Sequence, residues 1–163
     1  MALMVAGACS GSDADRPTGP AMRSNASAER AIAGSALSAS SPRNGTFHVT
    51  KNCSQNTGLA GAFCTITAST IEQLKVGSKV VYLTADGPDF GDSDTIIYPP
   101  NPGDNLAFGH CHVDFHTFLG RCTISGGTGK LKWLVADARV SYLGGLDGFD
   151  WAWDGTYSFS PKD

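Results

Sequence analysis

Glutamate is nearly missing from this chain: only Glu29 and Glu72 occur in 163 residues. Carboxylate acid–base chemistry would therefore fall to an aspartate. A basic excess is missing too, with a formal charge of −3, a pI near 5.7 and lysines and arginines scattered singly. Nucleic acid is excluded as a partner on that footing. Beyond the first residues no apolar run is long enough to cross a bilayer as a helix. The chain contains no G-x-S-x-G elbow, and "SGGTGKL" fails as a phosphate loop because Ile124 and Leu131 stand where glycine and a hydroxyl residue are required. No cofactor is indicated.

What is present falls into three parts. The opening "MALMVAGACSGS" is similar to the tail of an export signal, and "AGAC" to a bacterial lipobox in which Cys9 would be lipidated. Ala6-Gly7-Ala8 also suits ordinary signal cleavage, and a plain N-terminus with a stray cysteine stays open. Residues 1–9 are read as a signal remnant, which puts the protein in the cell envelope or outside the cell. A lipid anchor at Cys9 is the only membrane contact expected. Residues 10–44 are rich in Ser, Ala, Gly and Pro and read as a flexible linker, with a short helix over Ala26–Leu37 as an option.

Residues 45–163 carry the fold. Short alternating runs at Thr46–Cys53, Ala62–Ser69, Ser78–Ala85, Asp94–Tyr98, Asn105–Phe115, Arg121–Ser125, Lys130–Leu143 (with a break near Ala136) and Phe149–Phe159 are separated by breakers such as "DGPDFGDSD", "YPPNPGDN" and "SGGTG". About eight strands without a long helix predict an all-β sandwich or a small closed barrel. In "FDWAWDGTYSF", Trp151, Trp153, Tyr157 and Phe159 share one face with Gly155, as either an aromatic core or the wall of a ligand cavity.

Four cysteines form a repeat, C-x10-C-T-I-[ST], at Cys53/Cys64 and Cys111/Cys122. Placing a turn between His116 and Thr117 sets Cys111 opposite Cys122, so the equivalent pairs 53–64 and 111–122 are predicted as disulfides of two hairpins. The rival zinc reading lacks Cys-x2-Cys spacing. His110, His112 and Asp114 occupy the face opposite Cys111, whereas Ala107, Gly109, Cys111, Val113 and Phe115 make the more apolar face. A polar outer face is therefore expected for the histidines, and no metal site is assigned.

The stretch from about Phe47 to Phe159, including "CTITASTIEQLKVGSKVVY", "FGHCHVDF", "CTISGGTGKLKW" and "FDWAWDGTYSF", resembles bacterial allene oxide cyclase barrel-like proteins, related in architecture to dirigent proteins. That resemblance implies an eight-stranded antiparallel barrel around an apolar cavity. It also implies an isomerase or cyclase that orients a flexible, mostly apolar substrate for ring closure. The glutamate of the plant cyclases has no counterpart in a strand here. Expected wall residues are Tyr82, Phe108, Trp151, Trp153 and Tyr157, with Tyr82, His110 or Tyr157 as the polar, catalytic group. The alternatives are a noncatalytic envelope barrel binding a hydrophobic small molecule or a protein, and a barrel with a filled core and no ligand. Homo-oligomerisation stays open.

Overall fold

The computed structural model describes residues 43–159. The signal and lipobox reading, Cys9, nearly all of the linker and its optional helix lie outside the described residues.

Eight antiparallel strands close into one barrel in chain order: β1 (Asn44–Asn52), β2 (Phe63–Ser69), β3 (Lys79–Tyr82), β4 (Phe90–Tyr98), β5 (Ala107–Asp114), β6 (Leu119–Gly127), β7 (Leu134–Gly144) and β8 (Asp150–Phe159), with β8 paired to β1. Closure removes the unpaired edges that a sandwich would leave, so the barrel alternative holds. The period of two decides what points inward. In β4 the buried positions are Gly91, Ser93, Thr95 and Ile97, and in β7 they are Leu134, Ala136, Ala138 and Val140. Trp153, Ile66, Leu74, Ile97 and Val49 are among the fully buried side chains that fill the interior, as expected for eight strands, whose lumen is just wide enough for side chains.

Most strand ends shift by one or two residues from the sequence reading, and the larger differences have local reasons. Strand β4 begins at Phe90, inside the expected breaker "DGPDFGDSD", because its inward residues are the small or polar Gly91 and Ser93, which hide the alternation. Strand β3 ends at Tyr82, since the Thr84 amide bonds to the Ser93 hydroxyl instead of continuing the ladder. The "SGG" of the expected turn lies within β6. The chain then turns through a 3-10 segment, Gly129–Leu131, and β7 runs without a break at Ala136.

Because the sheet is a simple meander, connections alternate between the two barrel ends. The β1–β2, β3–β4, β5–β6 and β7–β8 loops gather at one end, called here the cup end. Both predicted disulfides are present and brace it: Cys53–Cys64 closes the base of the β1–β2 loop, and Cys111–Cys122 joins directly paired residues of the β5–β6 hairpin.

Tight curvature demands close strand approach at Gly155 on β8. A Cβ there would lie 1.9 Å from the Asp137 carbonyl oxygen and 2.7 Å from the Ala138 Cα, both backbone atoms of β7. Gly155→Ala is therefore expected to destabilise the barrel by about 2–4 kcal/mol, since backbone and not a flexible side chain must give way. Urea unfolding of the variant checks this.

Candidate ligand-binding cup

At the cup end the barrel opens into a cavity of ≈ 60 Å³. Lys51, Tyr82, Asp86, Ser93, Val113, Phe115 and Trp151 are among its lining residues, together with Cys53 and Cys111. A single water occupies roughly 30 Å³ of liquid, whereas drug-sized ligands need roughly 300–1,000 Å³. The cavity therefore accommodates a head group of a few heavy atoms.

Its chemical centre is Lys51. Phe47, Val49 and Lys51 alternate inward along β1, and Lys51 is only 3% exposed. Its Nζ donates a hydrogen bond to the Tyr82 hydroxyl, lies 3.9 Å from Cys64 Sγ, and sits 4.8 Å from the centre of the Trp153 indole. Among the described residues no carboxylate is within ion-pair distance of it. Burial pulls its pKa down from 10.5 to about 7, opposed by the charge of Asp86. Such a shift is what removing an ammonium from water without a paired anion produces.

Tyr82 is 8% exposed, and burial, then the charge of Asp86, push its phenol above its ordinary value, so it stays protonated. Asp86, in the β3–β4 loop, is raised by burial and lowered less by Lys51. Its carboxylate reaches the cup because Gly91 has no side chain: a Cβ there would stand 2.7 Å from Asp86 Oδ1.

Around the mouth three rings make an apolar rim. Phe118 lies 5.2 Å from Tyr142, Tyr142 lies 5.1 Å from Trp151, and Phe118 lies 6.3 Å from Trp151. Phe118 holds a φ of 55°, a left-handed conformation that is costly for a bulky side chain. Leu119, Leu143, Leu146 and Phe149 are exposed nearby on the β6 and β7–β8 segments.

Of the residues expected from sequence, Tyr82 and Trp151 line the cup, whereas Trp153 does not line it and packs in the core against the Lys51 amine. Tyr157 is buried two inward positions further along β8, edge-on to Phe47 at 6.3 Å and Phe159 at 6.1 Å, and belongs to the core. Phe108 and His110 are corrected. Both have the outward parity of β5: Phe108 is 38% exposed, and His110 contacts Asp92 at 2.7 Å and Asp94 at 3.0 Å on the outer surface. These aspartates, Asp94 first, raise the His110 pKa. His112 shares that outer face beside Phe90, and His116 contacts Asp89 from the β5–β6 turn. Among the described residues no group of three His, Cys, Asp or Glu is placed to hold a metal.

Lys51 and Asp86 are the functional candidates that the sequence reading passed over. The signal for Lys51 was present, because in "FHVTKNC" a lysine occupies the inward phase set by Phe47, Val49 and Cys53. Asp86 carries no comparable mark, since only the folded loop and Gly91 bring it inward.

The chain matches no protein-family model, no curated protein and no solved structure.

Proposed function

We propose that this barrel is an exported binding protein for a small, mostly apolar molecule bearing one oxygen-containing head, which enters the cup while its tail lies on the Phe118–Tyr142–Trp151 rim. The observation that carries this reading is Lys51: a buried amine at the wall of an open cavity, hydrogen-bonded to Tyr82 and, among the described residues, with no carboxylate within ion-pair distance. Burying an amine without an ion pair costs stability. A function offsets that cost, whereas a merely filled core gives no reason for it. The two disulfides favour an oxidising compartment and hence export.

The same geometry weighs binding against ring closure. A cyclase must fold its whole flexible substrate inside the lumen, yet below Lys51 that space is taken by Trp153, Ile66, Ile124 and Val140. The cup admits a head and leaves the chain outside. If ring closure does occur, Lys51 and Tyr82 are the groups able to supply its proton transfers, and the reacting atoms must lie next to the head.

Titration with octanol, octanoate and octanal, followed by tryptophan fluorescence, tests the reading. Saturable quenching is expected for at least one of them, and Trp151→Ala should weaken it about tenfold, the loss typical of one aromatic contact. Absence of saturation with all three, or unchanged affinity in Trp151→Ala, would overturn it.

A further inference from the structure

Given the ligand-binding cup proposed above, on which this rests, we propose that the ligand is an aldehyde or ketone and that Lys51 captures it covalently as an imine. Three observations select a carbonyl over other oxygen-bearing heads. First, among the described residues no carboxylate is within ion-pair distance of the Lys51 amine, and burial lowers its pKa to about 7, so a substantial fraction is in the neutral, nucleophilic form at neutral pH. Second, the cup already contains a carboxylate, Asp86. An anionic head would face that charge across a small cavity while meeting an amine that burial discourages from being positive. Third, the Tyr82 hydroxyl bonded to Nζ remains protonated and can donate to a carbonyl or hydroxyl oxygen held at the same place.

The step balances with these groups alone. The Nζ lone pair adds to the carbonyl carbon, and the carbonyl electrons move onto oxygen, which Tyr82 supports by hydrogen bonding. One proton passes from nitrogen to that oxygen, giving a carbinolamine. The C–O bond then breaks as the nitrogen lone pair closes on carbon, and the Asp86 carboxylate, which borders the cup, relays the remaining nitrogen proton to the departing oxygen. Oxygen departs as water, and nitrogen forms the C=N bond. No oxidant or metal is consumed. The iminium form carries its charge where the ammonium stood, 4.8 Å from the centre of the Trp153 ring, a contact that favours a desolvated cation. The remaining chain of the aldehyde leaves through the mouth onto Trp151, Tyr142 and Phe118.

The test is reductive trapping. Disulfide-intact full chain is mixed with octanal and cyanoborohydride at neutral pH, then read by intact mass and peptide mapping. The expected product gains the mass of octanal less one oxygen atom. Labelling at Lys51 should outpace that at Lys75, Lys79, Lys130 and Lys132 by on the order of a hundredfold, because of these only Lys51 lines the cup that holds the aldehyde against its amine. Lys51→Met should abolish this product, and Tyr82→Phe, which keeps the amine, should slow it. Labelling spread evenly over the lysines, or undiminished in Lys51→Met, overturns the proposal. Saturable quenching by octanal in the absence of reductant, without a Lys51 adduct, overturns imine formation and leaves the binding cup standing. If neither quenching nor adduct is found, both readings fall.

Discussion

Lys51→Met raises the stability of the barrel at neutral pH and removes most of its dependence on pH between about 7 and 10. Lys51 titrates near 7 in the folded protein and at an ordinary 10.5 when exposed. Between those values the unfolded chain binds more protons than the folded one, so wild-type stability rises as pH climbs through the window. Below about 7 both states carry the charge, and the full cost of burying it is present. The gap corresponds to roughly 4–5 kcal/mol.

Methionine has similar length and no charge, so it relieves that cost at once. It also leaves the Tyr82 hydroxyl without its partner, a loss of about 1–3 kcal/mol. The net expectation at pH 7 is a gain of about 1–4 kcal/mol, or a Tm higher by roughly 5–15 °C. Tyr82 and Asp86 face the same amine but do not blur the reading. Tyr82 titrates above its ordinary value, so it affects stability only at the alkaline edge, and the Asp86 contribution falls on the acidic side. Denaturant unfolding of both proteins across this pH range is the measurement. A variant less stable than wild type at pH 7, or a flat wild-type profile, would show that Lys51 is not held against its own solvation.

A gain in stability on losing a side chain is also the expected mark of a functional residue. Legibility in the sequence followed the same division. Where residues obey one local rule, the outcome could be read directly. The repeated C-x10-C-T-I-[ST] placed both disulfides, and alternation in β8 placed Trp151 and Trp153 on the inner side. Strand count was accessible because turn residues separate the alternating runs, whereas that spacing alone left a sandwich and a closed barrel both open.

Where a position breaks its rule, reading failed. Lys51 occupies an apolar phase, and a search for catalytic types among tyrosines and histidines does not stop at a lysine in a strand. Phe108 drew attention by being aromatic, although the parity that turned Cys111 inward turned it outward. His110 belongs to the same outward phase as His112, and pairing with Asp92 and Asp94 of β4 uses its polarity on the surface. The start of β4 was hidden by inward glycine and serine. The smallness of those residues, however, opens the cup: Gly91 admits the Asp86 carboxylate, and Ser93 leaves the wall thin. Cavities are made by what side chains omit, and omission leaves little trace in a hydrophobic pattern.

Removing both disulfides should leave a barrel that is barely folded at 37 °C. Each bond spans 11 positions, and closing a loop of that size in the unfolded chain accounts for about 2.5–3 kcal/mol per bond. Together they supply roughly 5–6 kcal/mol, comparable to the whole stability of many domains, which lies at about 5–15 kcal/mol. Alanine is the right replacement, because Cys64, Cys111 and Cys122 are at most 3% exposed and a serine hydroxyl there would need a partner. The two pairs should differ in a second respect. Cys64 Sγ lies 3.7 Å from the Tyr82 hydroxyl and 3.9 Å from Lys51 Nζ. Cys53→Ala/Cys64→Ala should therefore alter octanal trapping at Lys51 as well as stability. Cys111→Ala/Cys122→Ala, whose sulfurs make no such contact with the amine, should lower stability with a smaller effect on trapping. Thermal melts followed by circular dichroism, with and without dithiothreitol, read the first effect. Each double variant should lose roughly 8–15 °C in Tm, and the reduced wild type should melt with the quadruple variant. A quadruple variant that melts within a few degrees of the oxidised wild type would mean that the closed hydrogen-bonded sheet holds the cup end without covalent help.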